Sequence, residues 1–108
     1  MIMDDKKREM TLEKMGFLLH EGYEINEDDH GISFIKDDIR IYAFWGRYYD
    51  PVDISIESDK GDIRGYISVY KHYVGSNVLK MIRLPKDDLE RFCVLADHFA
   101  DNIDMLLK

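Results

Sequence analysis

Two alternating runs constrain this chain more than anything else in it. "IRIYAFW" sets Ile39, Ile41, Ala43 and Trp45 on one side of an extended strand, with Arg40, Tyr42 and Phe44 on the other. "VDISIE" repeats the pattern more strictly, with Val52, Ile54 and Ile56 against Asp53, Ser55 and Glu57. A period of two in both runs describes strands that each bury one face. The short link from Gly46 to Pro51 falls well under the dozen or so residues a parallel crossover needs, so the pair is expected to be antiparallel.

The surrounding sequence extends the same sheet. "YEINE", "ISFIK" and "IRGYISVY" are further strand candidates, separated by "DDHG", "KDD" and the polar loop "SDKGD". In the last strand Ile63, Gly65, Ile67 and Val69 oppose Arg64, Tyr66, Ser68 and Tyr70. The expectation is an antiparallel meander of four to six strands with one Ile/Val face to be covered and one polar face rich in tyrosine.

Helical spacing appears at both ends. Met10, Leu12, Met15, Leu18 and Leu19 predict an amphipathic helix over about residues 5–21, with Asp4 or Asp5 as its cap and Gly22 as its stop. Near the other end, Asp87 and Glu90 have capping-box spacing just after Pro85. Leu89, Phe92, Cys93, Ala96, Phe99, Ile103 and Leu106 follow as one apolar stripe. Residues 71–84 fit two descriptions. Val78, Lys80, Ile82 and Leu84 form one face of a last strand, or the segment is a loop with a short helix. The expected class is α+β, a single domain over residues 1–108. An N-terminal helix and a long C-terminal helix both lie on the aliphatic face of the sheet.

Composition narrows the function. Hydrophobic residues make up 45% and charged residues 34%, the balance of a soluble globular chain rather than a disordered one. No apolar run is long enough to span a bilayer, and "MIMDDKKREM" has no apolar core of a secretory signal behind it. With Cys93 as the single cysteine, a reducing cytoplasmic setting and no membrane partner are expected. The formal net charge of −7 opposes binding to a nucleic-acid backbone. It favours a basic protein partner through steering, or serves solubility alone. The charge is uneven: Arg64, Lys71, Lys80, Arg83 and Lys86 stand in residues 63–86 without one acid among them.

Catalytic and cofactor motifs are missing from the sequence. "EDDHG" lacks the ligand spacing of an EF-hand loop and reads as a solvated turn. His20, His30, His72 and His98 fall in separate elements without HExxH or zinc spacing, which suits surface or capping roles. Cys93 sits on the apolar stripe and is expected to be buried and inert. Asp37-Asp38 and Asp87-Asp88 suit turns and caps. No metal site, cofactor or catalytic residue is therefore expected. The candidate binding surface is the polar sheet face with its neighbouring loop: Tyr42, Phe44, Tyr66, Tyr70, Asp53 and Glu57, flanked by Arg40 and Arg64, with Tyr48 and Tyr49 in "GRYYDP". Cross-strand packing alone is the plain alternative. Trp45 is expected to anchor the base of that loop in the core.

The run "GFLLHEGYEINEDDHGISFIKDDIRIYAFWGRYYDPVDISI", followed by "LPKDDLERFCVLADHF", resembles small acidic α+β proteins of Gram-positive bacteria, some of them immunity-like. The resemblance rests on a Gly-aromatic strand start, the "GISF" strand and the "LP" helix entry, none of which is a site motif. It implies a cytoplasmic domain that acts by binding another protein. A structural homodimer, or a small-ligand protein or enzyme, are the alternatives.

Overall fold

The computed structural model describes residues 3–47, 49–58 and 65–107. The chain begins with α1 (Asp5–Met15) and a short α2 (Phe17–His20). Asp4, rather than Asp5, caps α1, its carboxylate accepting from the Lys7 amide at 2.9 Å. The expected single helix is broken at Gly16, and Gly22, with φ of +95°, turns the chain into the sheet.

Five strands follow: β1 (Glu24–Glu27), β2 (Gly31–Lys36), β3 (Ile39–Phe44), β4 (Asp53–Ser58) and β5 (Gly65–Ser68). They pair in chain order, every neighbour antiparallel. The register places Ile32 beside Ala43, and Ala43 beside Ile54. Phe34, Ile41 and Ile56 form the next row. These side chains are buried with Met15 and Leu18 of the first helices and with Phe92, Leu95, Ala96 and Phe99 of α5 (Asp88–Asp101). The sheet is therefore covered on one face by the helices at both ends of the chain, as the alternation demanded.

Trp45 joins the layers. Its indole stacks on Phe92 with ring centres 4.3 Å apart, and its N–H donates to the Thr11 hydroxyl at 2.7 Å. Thr11 in turn donates to the Lys7 carbonyl, so the indole N–H and the buried hydroxyl are both partnered. Gly46, with φ of +106°, then leads into a tight turn in which the Arg47 and Asp50 backbones pair. Asp87 caps α5 by accepting from the Glu90 amide at 3.1 Å. The helix stops at Asp101, and a further turn, α6 (Ile103–Leu106), carries Leu106 into the core.

Three further expectations are corrected. The last strand ends at Ser68, and Val69 and Tyr70 belong to a helix, α3 (Val69–Val74). The strand alternative for residues 71–84 also fails, because α3 is followed by α4 (Val78–Arg83), which buries none of its residues. Cys93 is only half-buried, and its thiol lies 3.4 Å from the Met10 sulfur. The expected loop "SDKGD", together with Ile63 and Arg64, falls on 59–64 apart from Ser58, outside the described residues.

Candidate functional site

The sheet face away from the helices carries the side chains of the polar alternation. β3 places Arg40, Tyr42 and Phe44 there, directly across from Glu57, Ser55 and Asp53 of β4. β5 adds Tyr66 beside Glu57, and Ser68 beside Ser55. All of these but Ser68 line a groove of about 440 Å³, together with Asp50, Pro51, Tyr70 and Arg91. Five of the eight surface residues expected from sequence, namely Tyr42, Phe44, Asp53, Glu57 and Tyr66, reach it from strands, and Tyr70 reaches it from α3.

The two remaining candidates behave differently. Tyr48 lies outside the described residues. Tyr49 is fully exposed at the turn and does not line the groove. It borders a smaller hollow beside Trp45 and Asp88 instead. Arg64 also lies outside the described residues. The exposed Lys71, Lys80, Arg83 and Lys86 line no part of the groove.

Tyr42 is held from both sides. Its hydroxyl donates to both oxygens of Asp28, at 2.9 and 3.0 Å, and the Arg40 guanidinium lies 4.4 Å from its ring centre. Burial, reinforced by the Asp28 carboxylate, pushes its pKa up to about 12. Burial also pushes Asp28 up, but the amides of His30 and Gly31 and the Tyr42 hydroxyl outweigh it and hold this carboxyl below its ordinary value. Gly31 permits this close approach, since a Cβ there would meet the Ala43 carbonyl oxygen at 2.0 Å and the Tyr42 ring at 3.1 Å. "EDDHG" is thus a turn, as its residues suggested, but one that also anchors the groove.

Asp53 is a structural acid. One oxygen accepts from the Ser68 hydroxyl, and the other accepts from the amides of Ile54 and Tyr70 at 2.7 and 2.9 Å. It thereby fixes the start of α3 and swings Tyr70 to the groove. Arg91 of α5 lies over the Tyr70 ring at 4.8 Å and donates to the Val52 carbonyl at 2.9 Å. Arg40 pairs with Glu57 at 3.6 Å. Both groove arginines are therefore engaged within the chain.

Tyr66 is the most open ring of the groove, 59% exposed. Partial burial and the charges of Asp53 and Glu57 raise its pKa. Sequence reasoning missed Arg91, Asp50 and Asp28. Arg91 belongs to the polar side of a helix and carried no local signal. Asp50 was visible only as a turn residue.

A second cluster lies apart from the groove. His72 Nδ1 and His98 Nε2 are 2.8 Å apart, linking α3 to α5, and Tyr73 meets the His98 ring edge-on at 5.2 Å. The separate elements that carry these histidines in sequence converge in space. Among the described residues no group of three or more His, Cys, Asp or Glu is placed to hold a metal ion. No described helix is long and apolar enough to cross a membrane. No family model matches the chain, and neither a curated protein nor a solved structure is found similar to it.

Proposed function

We propose that this chain is a protein-interaction module that binds a basic protein partner through its uncovered sheet face. One observation carries the reading. Four aromatic rings and three carboxylates converge in one solvent-open groove, and the two arginines beside them are already engaged internally. Tyrosine supplies large, rigid contact area, and acids steer a basic partner into register. The immunity-like resemblance agrees with this reading, as does the net charge of −7.

The test is affinity capture from the native host with wild type and a Tyr66→Ala, Glu57→Ala double variant, both checked for folding by circular dichroism. The reading expects a basic protein retained by wild type and lost by the variant. Equal retention by both proteins removes the face from the account.

A second reading, a structural homodimer, draws on α4, where Val78, Leu79, Met81 and Ile82 are all exposed. Sedimentation across a concentration range decides it. A mass that stays monomeric excludes it.

A further inference from the structure

Three tyrosines line the groove, and two of them already carry a guanidinium. Arg40 lies over Tyr42 and Arg91 over Tyr70. Among the described residues no cation stacks on Tyr66, although its ring is the most open of the three. Glu57 is its direct cross-strand neighbour, and Asp50 lines the same groove with its side chain exposed. The Glu57 carboxylate meets Arg40 only at 3.6 Å, longer than a close charge-assisted hydrogen bond. Asp53, by contrast, has both oxygens occupied.

We infer that Tyr66, with Glu57 and Asp50, is a seat for one arginine side chain of the basic partner. This inference rests on the sheet-face reading above and names the group that the face receives. Arginine fits better than lysine. Its planar guanidinium stacks on a ring while its edge presents paired N–H donors to a carboxylate, which a compact ammonium does not do. Arg40 shows the same arrangement within the chain, ring on one side and Glu57 on the other. The local charge agrees: Asp50, Asp53 and Glu57 outnumber Arg40 and Arg91.

The test uses the full chain, isotopically labelled, and a short arginine-rich peptide as probe. Two matched peptides carry lysine or the neutral isostere citrulline in place of arginine. NMR shifts of the groove residues report binding. The seat predicts the order arginine, lysine, citrulline, with arginine about threefold to tenfold tighter than citrulline per seated side chain. Tyr66→Leu abolishes that preference, Tyr66→Phe keeps it, and Glu57→Gln weakens arginine binding severalfold. Groove shifts with all three peptides equal, or an arginine preference that survives Tyr66→Leu, overturns the seat and leaves the face reading standing. No groove shift with any basic peptide overturns both. Tyr66 is exposed on an edge strand, and circular dichroism of each variant separates lost binding from lost fold.

Discussion

The two faces of one sheet share the same strands and register yet are held by different physics. On the covered face Ile32, Phe34, Ile41, Ile54 and Ile56 are closed off by helices, and burial of apolar area is the stabilising term. On the open face hardly any side chain is held by strand neighbours alone. Tyr42 is fixed by Asp28 from a turn, Asp53 ties down α3, and Arg91 arrives from α5. The first face needs only the right alternation. The second needs particular partners from elsewhere in the chain, and Tyr66 is the ring left most available for a partner from outside.

Substitutions should separate these faces by size and by kind of effect. Phe92→Ala empties the position stacked on Trp45 and is expected to cost about 3–5 kcal/mol in chemical denaturation. A cost under 1 kcal/mol would contradict the packing of α5 on the sheet. Asp53→Ala sits between the faces in effect. It strands the Tyr70 amide and the Ser68 hydroxyl, and a loss of about 1–3 kcal/mol is expected, with faster amide exchange at the start of α3. Tyr42→Phe removes only the contact to Asp28, for a loss of about 1 kcal/mol. It also deletes a tyrosinate transition near about 12 in an ultraviolet pH titration. Because that value lies above the unfolded one, Tyr42 stabilises the fold fully below pH ~10, and the gain is lost as pH rises from there through about 12.

A pH dependence of opposite sign comes from His98. Burial, with the charges of His72 and Lys80, holds His98 below its ordinary value against the opposing pull of Asp101. Tyr73 and Asn102 are its uncharged neighbours. The folded chain therefore binds fewer protons than the unfolded chain as pH falls through ~6.5, so stability falls with it. Denaturant midpoints at pH 7.5 and 5 should differ less in a His98→Gln variant than in wild type. Smallest of all, Tyr66→Leu is expected to leave stability within about 0.5 kcal/mol.

How much of this was legible in the sequence follows the same division. The covered face was readable because period two and the α5 stripe are local patterns, and Asp87 with Glu90 marked the helix start at close range. The strand-to-helix change at Ser68 was not. "GYISVY" alternates through Tyr70, and the acid that bends it into α3 is Asp53, 17 residues away from Tyr70 in sequence. The aromatic membership of the groove was legible from alternation, although Tyr70 reaches it from a helix rather than along a strand. Tyr49 stands outside the groove because a turn residue has no face, and here it points into solvent. The electrostatic partners Asp28 and Arg91 were hidden for the same reason as the α3 turn, since each meets the sheet only through tertiary contact.

The central claim, that the open face binds while the covered face stabilises, is tested most directly by one paired measurement. Melting temperature and affinity for the captured partner are recorded for wild type and for the Tyr66→Leu, Glu57→Gln double variant. The account predicts a nearly unchanged melting temperature and an affinity reduced by tenfold or more. A lowered melting temperature with undiminished affinity would show the open face to be packing, and would contradict it.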